Sequence, residues 1–260
     1  MDAAMTSAWR TPSSTSGRNE SSSSHLLRLP AFAWRTKNSD INTESSGELR
    51  QTIYEVTMGF FDRNREDVVK RGYDGDRLPS GQYLTERFPV LHVGDVPTYK
   101  PGQWDLKIFG AVNNEFTLSF DELKSMPSTT LTTDIHCVTK WSKFDTTWRG
   151  VKVRDLFDRA GVQPEAAFVM GHAEYGYTAN LPLADILRDE SMVVYEFEGE
   201  DIEPIHGGPV RLLIPNLYFW KSPKWLRGLE LRKTDAPGFW EQNGYHMYGD
   251  PFLEQRFSGD

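Results

Sequence analysis

The 260-residue sequence is poor in several features that would assign it to common classes of protein. It has one cysteine, Cys137, which excludes an internal disulfide, a cysteine-ligated iron–sulfur cluster and a Cys₄ zinc site. No stretch approaches the roughly 20 consecutive apolar residues of a membrane span, so we expect no membrane partner. Acidic residues outnumber basic ones by 37 to 29, and the net charge of −8 argues against a nucleic-acid partner.

Two further absences concern nucleotide binding and internal symmetry. The sequence contains no strand–GxGxxG–helix unit and no glycine-rich loop ending in Gly-Lys-Ser/Thr, so a nucleotide-binding fold is not expected. No repeat of fixed period is present either. What remains is 38% hydrophobic and 13% aromatic, enough to bury a sizeable core. We expect a globular protein that works in the cytoplasm.

The first 57 residues differ in composition from the rest. They contain Ser21-Ser22-Ser23-Ser24 and few large apolar residues, and their basic and acidic residues balance, so we predict disorder. A transit peptide, which would make the protein organellar, competes with a reading frame that starts too early, and we favour the second because Met58 resembles a natural start. A secretory signal is excluded for want of an apolar segment. We assign 58–77 to a linker and 78–260 to one catalytic domain.

The pattern over residues 78–260 alternates short strands with short helices. Residues 104–110 alternate apolar and polar side chains, as a half-buried strand does. Ser119 and Glu122 have capping-box spacing at the start of a helix that Pro127 stops, and Gly161 ends a second helix. Other strands are predicted near 129–138, 168–171, 177–181, 192–197, 210–215 and 225–231, with a helical turn at 183–187. The fold class is therefore α+β, with mixed β-sheets and short helices.

The first chemically suggestive segment surrounds Cys137, at the end of a Thr-rich strand. His136, Lys140 and Lys143 are unusual neighbours for a core strand. A thiol among cations has a lowered pKa and can serve as a nucleophile or as a soft metal ligand. The alternative is a buried, inert cysteine. A zinc site built from His136, Cys137 and His206 is disfavoured because adjacent strand residues point to opposite faces.

The second segment begins at His206-Gly-Gly-Pro-Val-Arg and continues through Trp220-Lys-Ser-Pro-Lys-Trp. Its glycines and proline impose an irregular backbone that can approach a ligand closely. Arg211, Lys221 and Lys224 supply donors suited to phosphate or another anion. A third segment, around Tyr177, offers a hydroxyl that can donate a proton or orient an oxyanion.

The order of these motifs resembles the molybdopterin-binding domain of the sulfite oxidase family, above all its stand-alone bacterial oxidoreductases. The resemblance rests on Trp-x-Leu-x-Ile-x-Gly, the strand-end cysteine, Trp148-x-Gly, Gly-Tyr-Thr-x-x-Leu-Pro-Leu, His-Gly-x-Pro-x-Arg and Lys-Ser-x-Lys-Trp. It covers roughly residues 78–260. The fold that it implies is the mixed-sheet α+β domain of that family.

The resemblance implies one molybdenum–molybdopterin per chain, with Cys137 as the thiolate ligand of the metal. It implies two-electron oxygen-atom transfer on a small sulfur or nitrogen oxyanion or oxide, in either direction. Catalytic roles fall to Cys137, to Tyr177, the counterpart of a family tyrosine near the transferred oxygen, and to Lys140 as a substrate-steering cation together with Lys143 and Arg149. The predicted cofactor-binding residues are Thr85, Arg87, Phe88, His136, His172, His206, Arg211, Lys221, Ser222 and Lys224.

The sequence also departs from that family. Where sulfite oxidases carry Cys-Ala-Gly-Asn-Arg, this chain has Cys137-Val-Thr-Lys-Trp, which puts sulfite itself in doubt as the substrate. The dimerisation and haem domains of the family are not present in this sequence, so we predict a monomer that exchanges electrons with an external redox partner. Two alternatives stay open: a cofactor-free Cys–His thiol hydrolase, and a non-catalytic pterin-binding module.

Overall fold

The described part of the chain is an α+β domain built on two β-sheets. A computed structural model describes residues 63–92, 94–100 and 102–260. The predictions for residues 1–57 lie outside the described residues. The strands of the domain are β1 (Tyr83–Leu84), β2 (Asp105–Gly110), β3 (Phe116–Ser119), β4 (Thr129–His136), β5 (Trp141–Lys152), β6 (Phe168–Ala173), β7 (Thr178–Pro182), β8 (Met192–Phe197), β9 (Glu200–Asp201), β10 (Arg211–Leu213) and β11 (Leu226–Arg232).

Both sheets mix parallel and antiparallel pairs. The first has the order β1-β5-β8-β10, with β4 paired to β5 and β9 to β8, and its only parallel pair among the described strands is β1 with β5. The second has the order β3-β2-β11-β6-β7, and there β2 and β11 run parallel. These sheets confirm the predicted fold class.

The helices are short. They are α1 (residues 63–70), α2 (Phe120–Ser125), α3 (Val153–Ala160), α4 (Leu183–Ile186) and α5 (Phe239–Gln242). The predicted capping box is confirmed, because Ser119 and Glu122 bond each other's backbone amides at the start of α2. Gly161 ends α3 in the left-handed conformation, as expected. Within the described ranges, no helix combines the length and the apolar character needed to cross a membrane.

The core forms two main clusters. The larger includes Leu106, Leu156, Val169 and Leu229 and is contributed by strands of both sheets and by α3. The smaller lies on the first sheet and contains Cys137 together with Trp141, Trp148 and Phe219. The strand-end cysteine is therefore set in an aromatic part of the core, which excludes water from one side of it.

The structure adds two features to the predicted domain. Strand β5, twelve residues long, is absent from the predicted elements, in which its Lys143 and Arg149 have a substrate-steering role instead. Its burial nevertheless alternates, with Trp148 fully buried. The predicted linker, 58–77, contains helix α1, whose Val68 is fully buried against Leu78 and Phe144. The described part of that segment is thus docked on the domain, because one apolar side chain of the helix is taken into the core.

Candidate active site

Cys137 follows β4 directly and begins a tight turn into β5. Its amide donates to the Trp141 carbonyl over 2.9 Å, and the Lys140 amide donates to the Cys137 carbonyl over 3.0 Å. Lys140 takes a positive φ of 75° to close the turn. The Gln82 side chain donates to the same Cys137 carbonyl over 3.1 Å. These bonds fix the backbone of the residues that we call the cysteine turn, Cys137–Lys140.

The thiol itself is buried, with 8% of the residue exposed. Its Sγ lies 3.1 Å from the Thr139 hydroxyl. Burial raises the pKa of the Cys137 thiol, while the bond to Thr139 and the positive charges of Arg256 and Lys224 act in the opposite direction. The pKa of the metal-free thiol is thus raised overall, while the nearby cations would favour the thiolate that a bound metal needs.

Arg211 is the central cation of the site. The residue is 1% exposed, and its guanidinium donates to the carbonyls of His206 and Ser222, both over 2.8 Å. It lies 4.0 Å from the ring centroid of Phe219. No carboxylate of the described residues is within 4.0 Å of it, and burial lowers the pKa of Arg211 to about 9. A buried cation without a counter-ion is costly, so the site is suited to receive an anion.

Lys224 and His206 extend this cationic site. The Lys224 ammonium donates to the Ile205 carbonyl over 2.7 Å. Burial, followed by the charge of Arg211, lowers the pKa of Lys224 to about 7. The His206 ring stacks on Phe88 with centroids 4.1 Å apart, and its Nδ1 is buried without a hydrogen-bond partner. An unsatisfied polar atom beside two cations is a further mark of a ligand site.

Two glycines, Gly207 and Gly208, let the backbone after His206 pass close to neighbouring residues. Gly207 has a φ of +112°, and a Cβ there would meet the Lys224 Cβ at 2.9 Å. A Cβ on Gly208 would lie 1.9 Å from the Ile202 carbonyl oxygen. The two glycines therefore let the backbone lie directly against Lys224 and the Ile202 carbonyl, while the predicted close approach to a ligand stays a prediction.

Together these residues fit a molybdopterin group that carries a metal. Cys137 supplies one soft thiolate, while Arg211 and Lys224 supply positive charge for an anionic cofactor. Over the described residues, no cluster of three or more His, Cys, Asp or Glu side chains could hold a metal ion. The zinc triad that we disfavoured is not assembled.

Ser222 and Lys221, neighbours in the sequence, have different surroundings. Ser222 belongs to the Arg211 site, because its carbonyl accepts from Arg211 and its hydroxyl accepts from the Ile214 amide over 2.9 Å. Lys221 is fully buried against Glu241, with Nζ and Oε1 2.7 Å apart, and also bonds Asn180. The structure thus gives Lys221 a counter-ion inside the fold, which differs from the anion-binding role that the sequence predicted.

Two predicted cofactor histidines lie apart from Arg211. His136 accepts or donates a hydrogen bond with Ser142, Nδ1 to Oγ, over 2.9 Å, and burial lowers the pKa of His136 to about 4. It lines a cleft of about 460 Å³. His172 lies on β6 and its Nε2 is 2.9 Å from Glu230 on β11, in the second sheet. In the first case His136 is the last residue of β4 and pairs with Ser142 of β5, whereas Cys137 already belongs to the turn.

The remaining predicted residues are distributed around the cysteine turn. Phe88 contacts His206, Trp141 and Phe219, so it belongs to the site. The Thr85 hydroxyl accepts from the amide of Arg87, whose side chain is exposed. Lys140 is exposed on the cysteine turn itself.

Lys143 and Arg149, both predicted to steer the substrate, lie at different distances from the cysteine turn. Lys143 donates to the Glu86 carbonyl over 3.0 Å, near the turn. Arg149 lies eight residues beyond Trp141 along β5, a distance of roughly 25 Å at about 3.3 Å per residue, and it pairs with Glu196. The prediction for Arg149 is therefore corrected, because the unpredicted strand carries it away from Cys137.

Besides burial, the charge of Cys137 contributes to the raised pKa of two tyrosines, Tyr177 and Tyr245. Burial raises the pKa of Tyr177, and its hydroxyl donates to the Trp220 carbonyl over 2.8 Å. Burial and the charge of Cys137 likewise raise the pKa of Tyr245. Sequence analysis missed Tyr245, since a tyrosine near an aromatic C-terminal segment has no signal that separates it from a packing residue.

Arg256 is another residue of the site that sequence analysis missed. It is 8% exposed and donates to the carbonyls of Val138 and Ser80, over 3.0 and 3.1 Å. No motif marks it, because its partners are backbone atoms far away in the sequence.

Comparison with known proteins assigns the amino-acid sequence of this domain to a family. Residues 93–240 match the family described as the oxidoreductase molybdopterin binding domain. The chain is 50% identical over 185 residues to the uncharacterized oxidoreductase YuiH of Bacillus subtilis (strain 168). The aligned region covers 71% of this chain and 93% of that protein.

More distant relatives carry names from sulfur chemistry. A putative protein-methionine-sulfoxide reductase subunit, YedZ1, of Azospira oryzae is 25% identical over 64% of each protein. The mitochondrial sulfite oxidase of Drosophila melanogaster is 27% identical over 65% of this chain, which spans about a third (34%) of that protein. Among solved structures, the sulfane dehydrogenase SoxCD of Paracoccus pantotrophus matches with a TM-score of 0.49 and 22% identity, over 54% of this chain and 40% of that one.

Proposed function

Because the chain belongs to the oxidoreductase molybdopterin-binding domain family, we propose that it catalyses two-electron oxygen-atom transfer to or from a small sulfur or nitrogen oxyanion or oxide. Family membership makes it an oxidoreductase with molybdenum–molybdopterin as the cofactor. The substrate and the direction of transfer belong to the proposal. YedZ1 and the Drosophila enzyme are both named for sulfur chemistry, which supports the sulfur part of the proposal.

One observation carries the proposal: a single buried thiol shares a site with two cations, buried Arg211 and half-buried Lys224, that have no carboxylate partner among the described residues. Cys137 would bind the metal, and Arg211, Lys224 and the orphaned Nδ1 of His206 would hold the anionic pterin. When bound, the group supplies the oxygen-transfer chemistry and the two-electron redox change. The protein's part is to bind, orient and exclude water.

The side chains around the thiol divide these tasks. Trp141, Trp148 and Phe219 shield one side of Cys137 from solvent. On the other side, exposed Lys140 favours the approach of an anionic or polar oxide in an otherwise acidic protein. Tyr177 keeps its proton, because burial raises the pKa of its hydroxyl, and it would have to exchange its bond to the Trp220 carbonyl for one to a substrate oxygen in order to act as the donor.

The reverse reaction, reduction of an S-oxide or N-oxide, uses the same residues. Oxygen transfer in either direction gains or releases two electrons, so the proposal includes an external redox partner. We also propose that the protein is a monomer located in the cytoplasm. Size-exclusion chromatography with light scattering and cell fractionation test these two points.

The experiment is elemental analysis of the protein purified from a host that makes molybdopterin. We expect about one molybdenum per chain, and less than a tenth of that in Cys137→Ser. Thr132→Ala, on the exposed part of the same strand β4, serves as the matched control and should retain the metal.

Two results would overturn the proposal. Folded wild-type protein without molybdenum, from a host that loads another molybdopterin enzyme, would remove the cofactor chemistry. A metal-free protein with hydrolase activity that alkylation abolishes would establish the thiol hydrolase instead. In this structure the Nδ1 of His136 faces Ser142 and the His206 ring faces Phe88, which leaves Cys137 without a histidine base at hydrogen-bond distance among the described residues.

A further inference from the structure

Arg256 lies in the C-terminal segment, beyond the matched family region that ends at residue 240. The residue is 8% exposed, although arginine seldom becomes this buried without a carboxylate or another strong acceptor set. Its nearest carboxylate is Glu254, which is half exposed and 3.7 Å away. The strong partners of its guanidinium are therefore the two backbone carbonyls.

These two carbonyls belong to different parts of the site. Val138, which accepts from Nη1, is the residue after Cys137 in the cysteine turn. Ser80, which accepts from Nη2, precedes Gln82, the residue whose side chain donates to the Cys137 carbonyl. The planar fork of the guanidinium thus joins the cysteine turn to the segment that supports it.

The guanidinium is itself held in place. Its central carbon lies 5.0 Å from the ring centroid of Tyr218, which is fully buried. The backbone on either side is fixed as well, since the His246 amide donates to the Arg256 carbonyl and the Arg256 amide donates to Asp260. Because both the backbone and the guanidinium of Arg256 are held in place, its hydrogen bond can restrain the position of the cysteine turn.

We propose that Arg256 is a positioning residue that holds the Cys137 sulfur in place for the metal by bonding the Val138 carbonyl. The inference rests on the proposed function, because it takes Cys137 to be the metal ligand. Ligand orientation by a neighbouring hydrogen-bond donor is a general means of tuning a metal site. Here the donor comes from a segment that the family match does not include.

The test compares Arg256→Gln and Arg256→Lys with a matched control, Arg154→Gln. Arg154 on α3 also donates to a backbone carbonyl, that of Leu187, over 2.6 Å, but it lies outside the site. The first measurement is hydrogen exchange of the metal-free proteins. The amides of Cys137 and Lys140 report the cysteine turn, because the first is protected by its bond to the Trp141 carbonyl, which closes the turn, and the second by its bond to the Cys137 carbonyl.

We expect these two amides to exchange roughly tenfold faster in Arg256→Gln, because a charge-assisted hydrogen bond to the turn is lost. Arg256→Lys should recover part of the protection, since an ammonium keeps the charge but lacks the fork. Arg154→Gln should leave both amides unchanged. Exchange in Arg256→Gln within twofold of the wild type, or equal acceleration in Arg154→Gln, would overturn the inference.

The second measurement is electron paramagnetic resonance of partly reduced, metal-loaded protein. A displaced sulfur ligand should change the g-values of the molybdenum signal in Arg256→Gln, with a smaller change in Arg256→Lys. Wild-type g-values in Arg256→Gln would contradict the positioning role. Loaded wild type with unaltered variants refutes only this inference, whereas wild type that never takes up molybdenum refutes the proposed function, so the two failures are distinguishable.

Discussion

Arg211 and Lys221 are two buried cations ten residues apart, and the structure treats them differently. Lys221 is matched by a buried carboxylate, with Nζ 2.7 Å from Glu241 Oε1 and 2.6 Å from Asn180 Oδ1. Arg211 bonds the carbonyls of His206, Ser222 and, over a longer 3.5 Å, Leu212, and it lies over the Phe219 ring, with no carboxylate of the described residues as a partner. The first charge is neutralised within the protein and the second is not.

The difference separates a structural cation from one that awaits a ligand. A buried ion pair contributes little net stability, yet removing one partner is costly because it leaves the other charge unpaired. A buried cation without a counter-ion gains its favourable partner only when an anion binds. Substitutions at the two positions should therefore affect different properties, namely folding at Lys221 and cofactor binding at Arg211.

The largest expected effect is that of Lys221→Met on stability. This change leaves the fully buried Glu241 carboxylate without its cation, which costs about 3–5 kcal/mol of the free energy of unfolding. For a domain of this size that corresponds to a fall in Tm of roughly 10 °C or more. Urea denaturation of the metal-free protein measures it.

The double variant Lys221→Met/Glu241→Leu is the control, because it removes both charges together. It should recover part of the lost stability. A loss below about 1 kcal/mol in the single variant would show that Lys221 is not paired as described.

Arg211→Gln should show the opposite pattern. Molybdenum and pterin content should fall at least tenfold, because the central positive charge of the site is removed. The stability of the metal-free protein should change by less than about 2 kcal/mol, since a buried unpaired charge is removed and the amide still reaches one carbonyl. Metal analysis and pterin fluorescence after oxidation give the first quantity, and urea denaturation gives the second.

If Arg211→Gln instead destabilised the metal-free protein by more than about 2 kcal/mol and kept its cofactor, Arg211 would be a structural cation like Lys221. Arg211→Lys provides the intermediate case. It keeps the charge but not the two donors that reach His206 and Ser222, and it should retain more cofactor than Arg211→Gln.

Lys224 should add a pH dependence. Its pKa is about 7 in the folded protein against an ordinary 10.5, so between these values the unfolded chain binds more protons than the folded one. The Lys224 contribution to the free energy of unfolding of the metal-free protein therefore rises with pH across this window and is lost below pH 7. The charges that face it are those of Arg211 and Cys137.

The measurement is urea denaturation of the metal-free wild type and of Lys224→Met from pH 6.5 to 10. The difference between the two curves reports Lys224 together with its coupling to Cys137, because the Cys137 thiol titrates in both proteins but loses the neighbouring positive charge in the variant. A difference that stays constant over the window would contradict the lowered pKa. With cofactor bound the difference should flatten, since a neighbouring anion keeps Lys224 protonated.

The smallest effect concerns an exposed cation, Lys140. Lys140→Ala should raise KM for an anionic substrate by a few-fold and leave kcat almost unchanged, because an exposed charge contributes roughly 0–1 kcal/mol. Arg149→Ala, remote on β5, is the matched control and should leave KM unchanged. Initial rates at two ionic strengths measure both, and an equal response of the two variants would contradict steering by Lys140.

Several parts of the fold follow from local pattern. The capping box of Ser119 and Glu122 and the glycine at the end of α3 are determined by neighbours within four residues, so they could be predicted. Strand β5 could not, although its burial alternates. Its charged residues lie on the exposed face of a long strand, which mimics a functional loop until the partner strands β4 and β8 are known.

By itself the sequence determined the α+β class, the single candidate thiolate at Cys137, the glycines of His206-Gly-Gly and the group of cations that could meet an anion. These depend on residue types and on short spacings. Only the tertiary structure decided which cation has a counter-ion, because Glu241 reaches Lys221 across 20 residues and Arg256 reaches Val138 across 118. The sequence determines which residues are charged, but whether each charge is neutralised depends on contacts between distant segments.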